Sequence, residues 1–102
     1  MQIKSGARLR SQVDSTELVV VRPIPGEVAL TCGGHPMIDV KAEPQPGLAV
    51  LDGATGETQQ GKRYILADTG LEILVTKPGT SALAIGAQPL VLKEARPLPS
   101  SD

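Results

Sequence analysis

The chain contains an internal repeat. Shifted by 53 positions, residues 10–44 align on residues 63–97 without a gap, and 11 of the 35 aligned positions are identical. Unrelated chains of ordinary composition would share roughly two or three. A repeat of this size is one supersecondary unit, too small to bury its own apolar face, so the two copies must pack on each other. The identities fall at positions with a backbone role. Pro25-Gly26 meets Pro78-Gly79, Gly33 meets Gly86, Pro36 meets Pro89 and Pro44 meets Pro97. Arg10, Thr16, Leu18, Ala29, Leu30 and Ala42 meet Arg63, Thr69, Leu71, Ala82, Leu83 and Ala95.

Proline followed by glycine suits a type II turn, because proline presets φ and glycine accepts a positive φ. Each Pro-Gly lies between two apolar runs. The pattern therefore predicts a hairpin in each half, pairing 18–23 with 27–32 and 71–76 with 80–85. Val19, Val20 and Val21, like Ile73 and Val75, are β-branched and favour strands. Gly33-Gly34 and Gly86 allow a reversal, and short strands follow at 37–41 and 90–93. Further strands precede the hairpins at 7–13 and 62–67. No stretch keeps a helical period. Between the halves, 48–51 reads as a short edge strand and 52–61 as an exposed loop.

The expectation is an all-β domain of about eight short strands in two pseudo-symmetric, hairpin-based modules. Its parts are an N-terminal segment (1–9), a first repeat (10–44), a linker loop (45–61), a second repeat (62–97) and a disordered tail (98–102).

Composition narrows the function. Apolar residues make up 40% of the chain, but Phe and Trp are absent and Tyr64 is the only aromatic. Aliphatic side chains must therefore fill the core. Ten basic and eleven acidic residues give a formal charge of −1. With no basic block and no aromatic platform, the sequence reads as having no nucleic-acid partner. No apolar run approaches the roughly 18 residues of a membrane span, and the first twelve residues lack the apolar region of a secretory signal. The single cysteine, Cys32, can form no internal disulfide. These features predict a cytoplasmic protein without a membrane partner.

The segment Leu30-Thr31-Cys32-Gly33-Gly34-His35-Pro36-Met37 resembles the second metal loop of the desulforedoxin family, which reads Leu-x-Cys-Cys-Gly-x-Pro-Met. In that family a Cys-x-x-Cys pair precedes the loop, and four thiolates hold one iron. The resemblance places Cys32 on the first loop cysteine and Gly33 on the second. It places Val13 and Thr16 on the earlier pair. It covers about residues 8–41 and, through the repeat, extends to 62–93, where Leu66, Thr69 and Ile85 take the ligand positions. Three of the four ligands are missing in the first half, and a tetrathiolate site needs four soft donors. The resemblance therefore implies the family's short, twisted β module without its iron, so no cofactor is expected. Desulforedoxin is a dimer of such modules, and a tandem duplication would make that dimer covalent.

The loop of Cys32, Gly33, Gly34, His35 and Pro36 is the candidate binding or reactive site. Cys32 is either a reactive thiol, activated by His35 three residues on, or a small buried hydrophobe. His35 is either a ligand or a polar loop residue. Asp14-Ser15-Thr16 and Asp68-Thr69-Gly70 read as turn chemistry, and no catalytic set is present. The leading expectation is a non-catalytic β scaffold that acts as an interaction or accessory subunit, with a protein partner and self-association through edge strands. Two alternatives stand beside it. One is a metal or redox protein using Cys32 and His35. The other is a ligand-binding protein or enzyme with a pocket between the repeats that gathers Cys32, His35 and Tyr64.

Overall fold

The computed structural model describes residues 2–66, 69–86 and 88–93. The expected tail (98–102) and Asp68 lie outside the described residues. Among those described the chain forms no helix and twelve short strands. In the first half these are β1 (Arg8–Arg10), β2 (Glu17–Arg22), β3 (Leu30–Cys32), β4 (His35–Pro36) and β5 (Ile38–Asp39). Then come β6 (Thr55–Thr58), β7 (Arg63–Ile65), β8 (Glu72–Lys77), β9 (Gly79–Ser81), β10 (Leu83–Ile85), β11 (Gln88–Pro89) and β12 (Val91–Leu92). The fold is all-β, as the sequence predicts. It is more finely divided than the expected eight strands, because each Gly- or Pro-containing reversal interrupts a ladder.

The strands form a six-stranded sheet in the order β12-β7-β8-β2-β1-β5, a four-stranded sheet in the order β11-β10-β3-β4, and the pair β6-β9. Every pairing is antiparallel. The two halves meet at the centre of both larger sheets. In one, Leu18, Val19 and Val20 lie opposite Val75, Leu74 and Ile73. In the other, Leu30, Thr31 and Cys32 lie opposite Ile85, Ala84 and Leu83.

This arrangement corrects the predicted hairpins. β2 pairs with β1 and β8 and not with β3, and β8 pairs with β7 and β2 and not with β10. Pro23 and Pro25 carry no N–H, so the ladder of β2 cannot continue through them. The Pro-Gly segments instead carry the chain from one sheet to the next. The hairpins that do form are β1–β2, β7–β8, β3–β4 and β10–β11. Pro78-Gly79 is not a type II turn either. Gly79 lies in β9 without a positive φ, and its N–H donates to Thr58 Oγ1 at 2.7 Å. The linker is corrected in two places: 48–51 is not a strand, and Thr55–Thr58, expected in a loop, is β6 with Thr58 buried.

Matching hydrogen bonds recur along the chain, but at two offsets. Gly6 N–H donates to Val20 O and Gly61 N–H to Val75 O, an offset of 55. Met37 N–H donates to Leu30 O and Leu90 N–H to Leu83 O, an offset of 53. The crossover from β2 to β3 is two residues longer than that from β8 to β10, which accounts for the difference.

Period-2 alternation decides the core. Leu18 and Val20 of β2, Ile73 and Val75 of β8, and Leu9 and Tyr64 beside them point inward and are buried. Leu30, Cys32, Leu83, Val28, Met37 and Leu90 join the same cluster. Each such aliphatic side chain contributes about 1.5–3 kcal/mol by leaving water, and this replaces the missing aromatics. Tyr64 keeps its hydroxyl satisfied by accepting the N–H of Gln59 at 3.0 Å. No helix among the described residues is long and apolar enough to cross a membrane.

Candidate functional site

The loop joining β1 to β2, residues 11–16, folds over Cys32. Ser11 closes it by donating its N–H to Thr16 O at 2.8 Å. Ser11 Oγ accepts the N–H groups of Val13 and Asp14. Asp14 Oδ1 accepts the N–H of Thr16 at 3.0 Å, the local turn expected for Asp-Ser-Thr. The loop also reaches the other half of the chain. Asp14 Oδ2 accepts the N–H of Thr80 at 2.9 Å, and the Ser15 hydroxyl donates to Pro78 O at 2.7 Å. Beneath it, Cys32, Ser11, Thr16 and Ser81 are all at most 1% exposed. They form a small polar pocket inside an aliphatic core.

Burial pushes the Cys32 thiol up from its ordinary value, and the negative charge of Asp14 adds to the effect against the neighbouring hydroxyls of Ser11, Thr16 and Ser81. The thiol is therefore protonated and shielded, the opposite of an activated nucleophile. Burial also opposes ionisation of Asp14. The Thr16 N–H and the nearby hydroxyls of Ser81, Thr16 and Ser11 outweigh it and hold the carboxyl below its usual range. The hydroxyls of Thr16 and Ser81 crowd these groups without reaching hydrogen-bonding geometry among the described residues.

Two glycines make the packing possible. Gly33, at φ +67, turns β3 into β4, and a Cβ there would stand 2.7 Å from Val13 Cγ2 and 3.1 Å from Ser81 Oγ. A Cβ on Gly79 would overlap Thr16 Oγ1 and Asp14 Oδ2. The structure thus gathers residues 13, 16, 32 and 33, the positions that the resemblance equates with metal ligands. The side chains do not fit an iron tetrathiolate. Val13 and Gly33 offer no donor, Thr16 offers a hydroxyl, and only Cys32 has a thiol.

The rest of the loop is accounted for structurally. His35 lies opposite Cys32 in the β3–β4 pair, and its Nε2 is 2.8 Å from Ala49 O, which ties the linker to the hairpin. Pro36 is exposed, and its carbonyl accepts from Gln12 Nε2 at 2.8 Å. Gly34 packs under Leu51. Among the described residues no group of three His, Cys, Asp or Glu side chains is placed to share a metal ion. Tyr64 belongs to β7 of the six-stranded sheet, whereas Cys32 and His35 belong to the four-stranded one. A groove of about 390 Å³ runs along Arg8, Glu17, Leu18, Val19, Val40, Thr76 and Lys77. A second, of about 340 Å³, is lined mainly by glycine and alanine. Neither includes Cys32, His35 or Tyr64.

Sequence reasoning found Cys32 and the turn at Asp14 but missed Ser11, Gly79 and Ser81 as their neighbours. Nothing local marks Ser81, which arrives through a contact about 50 to 70 residues away along the chain. No family model, curated protein or solved structure matches this chain.

Proposed function

We propose that the chain is a non-catalytic β scaffold, an interaction or accessory subunit built from a duplicated module of the desulforedoxin type. The observation that carries this reading is the closed pocket at Cys32. The positions where the resembled module holds chemistry converge here, yet they are filled by a valine, a threonine, a glycine and one shielded, protonated thiol. The architecture has been kept while the reactive groups have been exchanged for packing. The strand registers support the duplication. The Val19–Leu74 and Thr31–Ala84 pairs lie where a pseudo-two-fold axis between the halves would pass.

Elemental analysis of the untagged protein, with Cys32→Ala alongside, tests the reading. The scaffold reading expects no stoichiometric metal and the same co-purifying partner in both samples. Metal near one equivalent that is lost in Cys32→Ala would refute it.

A further inference from the structure

The six-stranded sheet turns one face to the core and the other to solvent. Directly opposite residues in neighbouring strands share a face, so the registers define three rows on the outer side. The central row runs Arg8, Val19, Leu74, Arg63. One flanking row runs Ile38, Arg10, Glu17, Lys77. The other runs Arg22, Glu72, Ile65, Val91. Lys93 joins this face by pairing with Glu72 at 2.8 Å. The face therefore carries six of the ten basic residues and two of the eleven acidic ones. It is strongly positive in a chain whose total charge is −1.

The charges differ in what they already hold. Arg63 and Lys93 bind Glu72, and Lys77 binds Glu17. Arg8, Arg10 and Arg22 make no ion pair with a described residue, and Arg10 Nε is buried without an acceptor among those residues. Arg8 and Arg63 flank the half-buried Val19–Leu74 pair, about 14 Å apart at three strand spacings.

From this arrangement we propose that the outer face of the six-stranded sheet docks an acidic protein segment, its carboxylates meeting Arg8, Arg10 and Arg22 and its apolar side chains covering Val19 and Leu74. The proposal rests on the scaffold reading and names its partner class. Charge complementarity selects an acidic partner. The apolar centre and the burial of the sole aromatic, Tyr64, favour a polypeptide over nucleic acid, which needs cationic tracks and stacking surfaces.

The test is a fluorescence-anisotropy titration of the full chain with a labelled ten-residue Glu-Val repeat peptide. Arg8 and Arg22 are both exposed, so Arg8→Glu/Arg22→Glu should fold. Its Kd should rise at least tenfold, and Arg8→Gln/Arg22→Gln should fall between it and the parent. Lys4→Glu/Lys62→Glu, which alters two exposed lysines outside the rows, should stay within about twofold of the parent. Equal weakening by both charge reversals would overturn the proposal, as would the absence of saturable binding or tighter binding of single-stranded DNA than of the peptide. A chain that fails here yet keeps a stoichiometric protein partner overturns only this face and leaves the scaffold reading intact.

Discussion

Gly79→Ala adds one methyl group at the point where the two halves touch. Gly79 does not have a positive φ, so alanine is sterically allowed by the backbone. Alanine would even gain about 0.4–1 kcal/mol by restricting the unfolded chain. The surroundings reverse the sign. The new Cβ overlaps the Thr16 hydroxyl and the Asp14 carboxylate, and the neighbours cannot retreat without giving up the Asp14–Thr80 bond. Overpacking costs about 1–3 kcal/mol, and a lost hydrogen bond to a charged acceptor about 1.5–3 kcal/mol. The net expectation is about 3 kcal/mol, or about 12–24 °C in Tm for a chain of this size. Urea unfolding followed by circular dichroism reads the free energy, and a thermal melt reads the Tm. The double variant Thr16→Ala/Gly79→Ala removes the overlapping hydroxyl, and a double-mutant cycle should return at least about 1 kcal/mol. A Gly79→Ala cost below about 1 kcal/mol, or a cycle without coupling, would refute the packing argument.

The other predictions concern the same pocket, the core and the carboxylates. Cys32 should react with a thiol reagent at pH 8 no faster than the protein opens, and promptly in denaturant; fast labelling of the folded chain would contradict its burial. Burial holds its folded pKa above the ordinary thiol value of 9.0, so the thiol's contribution to stability is full below pH 9.0 and is lost as the pH rises further. Cys32→Ala should flatten that alkaline decline in Tm. Asp14 and Glu72 are both held below their ordinary values, Asp14 as described and Glu72 first by the Lys93 ammonium and then by Arg63, against burial. Their contribution is therefore full above the usual carboxylate range and is lost as the pH falls through the folded values. Tm measured from pH 7 to pH 2 should drop on the acid side, and less so in Asp14→Asn. Ile73→Ala, at a fully buried position opposite Val20, should cost about 2–5 kcal/mol in urea unfolding; a smaller loss would mean that the sheet's inner face is not packed as described.

The all-β class and many strand positions were legible in the sequence because they depend on local signals. Val19 to Val21, Ile73 and Val75 are β-branched and favour strands, and Gly33-Gly34 marks a real reversal. Strand partnership was not legible. The sequence favours the nearest apolar run as a partner, but prolines at 23 and 25 close that route, and β2 finds β8 instead. The gapless alignment hid a two-residue difference between the crossovers, because the shared Pro-Gly pairs sit inside the segments of unequal length. At the candidate site, Asp14-Ser15-Thr16 announced a turn. Its second task, gripping β9, depends on the approach of Thr80 and left no local trace. The positive face is similarly dispersed in sequence, with its arginines and lysines drawn from four strands and the residue after β12.

Because the central pairing of each large sheet joins one half to the other, the halves do not depend on the covalent link between them to stay together. The segment 43–54 contributes no strand, so a protease cut there would sever the chain while leaving the β2–β8 and β3–β10 ladders in place. The two fragments would remain one particle and should reassemble from separate solutions. A gel run in denaturant would report two pieces, whereas a native column would report one.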